Sequence, residues 1–119
     1  MEIARIILRV SDRERAVGFW TEQVGLSVVM DAGPFVFLDG GRVQLVLNQV
    51  DEPVTDDSMT ELVLEVDDIR ATHEEMSARG VPFEVEPRMV TGDGVRELWA
   101  AHFHDPDGHL ASITGWVNP

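Results

Sequence analysis

Aliphatic side chains crowd residues 3–10 (IARIILRV), where Ile6, Leu8 and Val10 alternate with Arg5, Ile7 and Arg9. That two-residue period predicts a strand with one apolar face. Directly after it, Ser11 and Glu14 stand at the S-x-x-E spacing of a capping box, in which hydroxyl and carboxylate satisfy free N–H groups at a helix start. Ala16, Phe19, Trp20 and Val24 then recur at three- and four-residue spacing, which predicts a helix to about Gln23 closed by Gly25. Three short strands follow, at about 27–31, 35–39 and 42–49, with Gly33-Pro34 and Gly40-Gly41 as the turns between them.

The pattern then stops and restarts. Residues 50–58 (VDEPVTDDS) are acidic, contain a proline and lack an apolar period, so they read as a linker. Beyond it come a strand at 62–66, a helix at 69–79 capped by Asp67 or Asp68 and closed by Gly80, and strands near 83–90, 95–104 and 109–116. Leu8, Val10 and Asp12 recur as Leu64, Val66 and Asp68, an offset of 56. Each half is βαβββ, and about 55 residues with one helix leave a sheet face open. The expected fold is α+β: one domain over 1–119 in which tandem modules (about 1–50 and 59–119, linker 51–58) form a curved mixed sheet, helices outside and a cleft inside.

The same period assigns faces. Arg5, Ile7 and Arg9 point away from the first helix, as do Gln44, Val46 and Asn48, while Glu61, Val63 and Glu65 point away from the second. The turn Asp105-Pro106-Asp107-Gly108, taken as a four-residue loop, pairs His104 with His109 and Ala101 with Ser112. It thereby sets Trp99, Phe103 and Ser112 on the cleft face as an aromatic platform and a polar group, and sends His102, His104 and His109 to the opposite face. An H-x-H pair on a strand can chelate zinc, but that face is expected to pack or meet solvent. His73, beside Glu74 and Glu75, is expected to be solvated, Asp105 and Asp107 to hold their turn, and Trp116 to lie at a subunit contact.

Composition narrows the chemistry. Twenty-two acidic side chains against nine basic ones, all Arg, give a net charge of -13 and exclude a nucleic-acid or anionic-membrane partner, which would need clustered basic residues. Without cysteine there are no disulfides, thiolate metal sites or cysteine nucleophiles. The start Met1-Glu2-Ile3 is not that of a signal peptide, and no apolar run approaches ~20 residues, so a cytoplasmic protein is expected. No G-x-S-x-G, phosphate-binding glycine loop or H-E-x-x-H is present.

Three segments in order, L-R-V-S-D-x-x-x-A-x-x-F-W-x-x-x-x-G-L from Leu8 to Leu26, V-D-D-I from Val66 to Ile69, and D-P-D-G-H from Asp105 to His109, resemble the vicinal oxygen chelate superfamily. That superfamily groups glyoxalase I, extradiol dioxygenases, fosfomycin-modifying enzymes and bleomycin-resistance proteins. The resemblance covers essentially the whole chain and implies the duplicated fold, a homodimer, and four metal-ligand positions that here hold Arg5, Gln44, Glu61 and Ser112. A guanidinium has no lone pair to donate and stays protonated, so no metal and no cofactor is expected there, and Arg5 is expected to pair with Glu61. Arg9 and Asn48 fall where glyoxalase I holds the carboxylate end of glutathione.

The expected function is therefore metal-independent small-molecule binding, resembling the bleomycin-resistance and antibiotic-sequestering proteins. The ligand, cationic or aromatic, would meet Arg5, Arg9, Gln44, Asn48, Glu61, Glu65 and Ser112 as polar contacts and stack on Trp99 and Phe103. The alternative is a glyoxalase-like lyase, isomerase or dioxygenase with a rearranged metal site. A third reading is an assembly subunit whose cleft is filled by its own side chains.

Overall fold

The computed structural model describes residues 1–52, 54 and 60–119. Most of the expected linker, residues 53 and 55–58, lies outside them. The chain divides into two compact units, Met1–Asp56 and Asp57–Pro119. Each is βαβββ, so the α+β class and the tandem repeat are as the sequence implies.

In the first unit, β1 (Arg5–Val10) leads into α1 (Arg13–Gly18), and β2 (Ser27–Ala32), β3 (Phe35–Gly40) and β4 (Val43–Gln49) complete the sheet. The spatial order is β1-β4-β3-β2, with β1 parallel to β4 and the other neighbours antiparallel. The helix cap differs from expectation by one residue. Asp12, extended at φ -134°, accepts the Arg15 N–H at 3.1 Å through Oδ1. A carboxylate there both satisfies a free donor and opposes the positive end of the helix, which a Ser11 hydroxyl could not do.

Past Gly18 the helix widens into a π-helical turn, Phe19–Val24, that ends at Gly25 with φ 108°. Only a residue without a Cβ takes that conformation cheaply. The wide turn sets Phe19 edge-on to the fully buried Trp20, ring centroids 5.4 Å apart. Beneath them Val10, Val36, Leu38, Leu45 and Leu47 form the core of this unit.

The second unit repeats the plan with β5 (Glu61–Glu65), α2 (Ile69–Ala78), β6 (Phe83–Gly92), β7 (Glu97–His104) and β8 (Leu110–Val117), in the order β5-β8-β7-β6. Asp68 caps α2 by accepting the Ala71 N–H at 3.1 Å. Ile69 and Met76 from α2 are buried, as are Ala101, Phe103, Ala111 and Ile113 from the sheet. Gly115 lets the helix come close, since a Cβ there would lie 3.2 Å from the Ile69 Cβ. No helix among the described residues is long and apolar enough to cross a membrane.

The last hairpin corrects the expected register. Its loop has five residues, 105–109, and His104 pairs with Leu110, Phe103 with Ala111 and His102 with Ser112. The extra residue is held by the buried Asp105, whose Oδ1 accepts the N–H groups of Asp107 at 3.1 Å and His109 at 2.8 Å, and whose Oδ2 lies 2.7 Å from His109 Nδ1. One added residue moves every side chain of β7 to the other face relative to Ser112. Trp99 and Phe103 therefore lie on the helix side, and His102 and His104 on the helix-free side.

Candidate functional site

Each sheet has one face covered by its helix and one that is not. In the first unit the helix-free face carries Arg5 beside Gln44, Ile7 beside Val46 and Arg9 beside Asn48, as the two-residue period predicts. Arg5 Nε donates to Gln44 Oε1 at 2.9 Å across the parallel pair. Phe35 pairs with Asn48 and Phe37 with Val46, so two aromatic rings that the sequence reading left out belong to this face.

In the second unit Val63 pairs with Ser112 and Glu65 with Thr114, and β7 adds His102 beside Ser112 and His104 beside Leu110. Ser112 Oγ donates to Glu61 Oε2 at 3.1 Å, and His102 Nε2 lies 3.4 Å from Glu61 Oε1. Glu61 and His102 come from strands on either side of β8, and the small Ser112 between them leaves room for the two side chains to meet. His102 Nδ1 is buried and has no hydrogen-bond partner. His104 Nδ1 lies 2.7 and 2.6 Å from the two carboxylate oxygens of Glu84. That contact fixes the proton on Nδ1 and leaves Nε2 as an acceptor when the ring is neutral.

The residues assigned to the aromatic platform sit elsewhere. Phe103 is fully buried against Phe83, ring centroids 5.3 Å apart, and the Trp99 ring carries the Arg70 guanidinium of α2 at 5.1 Å. Trp99 Nε1 donates to Glu97 Oε1 at 3.0 Å. Trp116 pairs with Leu98 and lies on the helix-free face, under the Arg96 guanidinium at 3.8 Å. His73 is not merely solvated: its ring meets Phe83 edge-on at 4.5 Å.

A model of the glyoxalase/bleomycin resistance protein/dioxygenase superfamily matches residues 2–113. The chain belongs to this superfamily. YetH, an uncharacterized protein of Bacillus subtilis (strain 168), is 31% identical over 118 residues, covering 92% of this chain and 93% of its own. A solved virulence protein from Salmonella typhimurium is 25% identical with a TM-score of 0.79, covering 98% of each chain. The antibiotic binding protein TnmS3 from Streptomyces sp. CB03234 is 24% identical with a TM-score of 0.75, covering 97% of this chain and 95% of its own.

Of the four positions that the resemblance assigns to metal ligands, two lie in each unit, and in neither unit do the side chains present suit a divalent ion. Arg5 supplies a fixed positive charge and no lone pair, and its Nε–H already occupies the amide oxygen through which Gln44 could coordinate. Ser112 is neutral and directs its hydroxyl hydrogen at Glu61. Among the described residues no group of three or more His, Cys, Asp or Glu side chains could hold a metal ion.

Proposed function

We propose that this chain is a superfamily member that binds a small molecule without a metal ion at the four positions and without converting it chemically. The observation that carries this reading is the Arg5–Gln44 pair at 2.9 Å, which puts a guanidinium–amide contact where two metal donors would stand. Its candidate polar contacts are Arg5, Arg9, Gln44 and Asn48 within the first unit, and Glu61, Glu65 and Ser112 within the second. Glu61 keeps lone pairs free beside the Ser112 hydroxyl, which suits a ligand presenting a cationic or N–H group. TnmS3, described as an antibiotic binding protein, lends the same direction to the proposal. A homodimer and a cytoplasmic location belong to the same reading.

The reading is tested by thermal-shift screening of metal-stripped protein against cationic and aromatic antibiotics, with and without a chelator. Ligand at 100 times Kd adds about 2.7 kcal/mol of stability, and the shift is expected to persist in chelator. A shift that appears only with added metal, or turnover abolished by chelation, overturns it in favour of a metal-dependent lyase, isomerase or dioxygenase. No shift with a chemically diverse panel overturns it in favour of an assembly subunit.

A further inference from the structure

The register of the last hairpin leaves one tryptophan on the helix-free face of the second sheet, and its exposed ring is covered by a side chain of the same chain. Trp116 is 39% exposed, and the Arg96 guanidinium carbon stands 3.8 Å above its ring centroid. Arg96 arrives from the β6–β7 connection, where Asp93 Oδ1 accepts the N–H groups of Val95 and Arg96, each at 2.9 Å. The second carboxylate oxygen of Asp93 lies 3.8 Å from Arg96 Nε. A planar cation thus lies over an indole face with a carboxylate nearby, an arrangement that attracts flat cations in general, because the ring quadrupole and the carboxylate act on the same charge.

We propose that Trp116 and Asp93 form a binding site for flat cationic ligands and that Arg96 is its internal occupant, displaced when such a ligand stacks on the indole. This rests on the small-molecule reading and narrows its ligand class to planar cations such as amidinium, guanidinium or aromatic ammonium groups. Two features make the displacement feasible. The Arg96 side chain is about half exposed, so it returns to water at little cost. A polycyclic cation covers more of the indole than a guanidinium does, and gains stacking area that Arg96 lacks.

The test uses the full chain, the flat cation proflavine, and the flat anion acridine-9-carboxylate as control, read by tryptophan fluorescence and by calorimetry. An exposed cation–π contact is worth about 0.5–1 kcal/mol, which converts to about a two- to fivefold tighter Kd for proflavine when R96A removes the occupant. W116L is expected to lose proflavine binding, W116F to keep part of it, and D93N to weaken it. The anion is expected to bind neither the wild type nor R96A. If proflavine binds wild type, R96A and W116L alike, the Trp116 site is wrong while small-molecule binding stands. If neither the wild type nor R96A binds proflavine, yet the wild type responds to other compounds in the screen, the cation class is wrong. If nothing in that screen binds, the small-molecule reading itself fails.

Discussion

Glu61 and His102 meet over Ser112, with Oε1 and Nε2 3.4 Å apart although their strands are separated by β8. Ser112 is fully buried and donates to the same carboxylate at 3.1 Å. Removing that hydroxyl in S112A leaves Glu61 partly exposed and able to take water in its place. The expected loss is about 0.5–1.5 kcal/mol, the net worth of one hydrogen bond. S112L forces a branched side chain between Glu61 and His102 and is expected to cost about 1–3 kcal/mol from overpacking. Urea denaturation measures both, and an S112L protein as stable as S112A would show that the two side chains do not depend on the space above residue 112.

The face that Phe103 occupies makes a sharp prediction. A ring on a ligand-binding face would affect binding when truncated and leave stability almost unchanged. Phe103 instead lies under α2, fully buried and edge-on to Phe83 at 5.3 Å. F103A is therefore expected to destabilise the fold by about 3–5 kcal/mol through lost burial and the cavity left behind. A stability change below about 1 kcal/mol in chemical denaturation would contradict the observed register.

Two glycines should respond in opposite directions to the same change. Gly18 is helical, with φ -58° and ψ -44°, and a Cβ there would meet nothing within 4 Å. G18A is expected to stabilise by about 0.5–1 kcal/mol by reducing the freedom of the unfolded chain. Gly40 ends β3, and its Cβ would lie 2.2 Å from the Val43 carbonyl oxygen, a backbone atom that cannot step aside alone. G40A is expected to destabilise by more than 1 kcal/mol as the turn rearranges. Melting temperatures of the two variants decide the matter, and equal shifts would count against the close approach at Gly40.

Much of the fold was legible because period, caps and glycines agree with one another. The alternation of Arg5, Ile7 and Arg9 with Ile6, Leu8 and Val10 gave the correct face, and Arg5–Gln44 and Arg9–Asn48 are true register pairs. Gly25 and Gly80 end their helices at φ 108° and 94°. The errors came from choices that local pattern does not decide. Ser11 and Asp12 are both good caps, and which one faces the first turn depends on where the chain leaves β1. The DPDG turn suits a four-residue loop equally well, until the Asp105 carboxylate is seen to gather both Asp107 and His109 and add a residue. That single residue decides which aromatic rings share a face with Ser112: the faces of Arg5, Gln44 and Asn48 follow from the two-residue period alone, and those of Trp99 and Phe103 do not.

The acid limb of the stability curve should report a surface ion pair. Arg13 reaches from the start of α1 to the β2–β3 turn: its Nη2 pairs with Asp31 Oδ2, its Nη1 lies 2.7 Å from Glu14 Oε1, and its Nε donates to the Gly33 carbonyl at 3.1 Å. The hydrogen bond from Arg13 is the main reason the Asp31 carboxyl is held below its ordinary range, and Asp93 is held low chiefly by the Arg96 and Val95 N–H groups. A carboxyl whose folded pKa is depressed releases its proton more readily in the folded state. Its stabilising contribution is therefore complete above the unfolded pKa, about 3.9 for Asp, and is lost as pH falls below that value through the folded one. D31N removes the titrating group, so its destabilisation should be larger at pH 7 than at pH 3, and smaller at pH 7 when salt is added, because the pair is exposed and screened. Urea denaturation at both pH values, at low and high ionic strength, measures this. Equal destabilisation at pH 7 and pH 3 would mean that Asp31 acts through packing or backbone geometry, with no part for its charge.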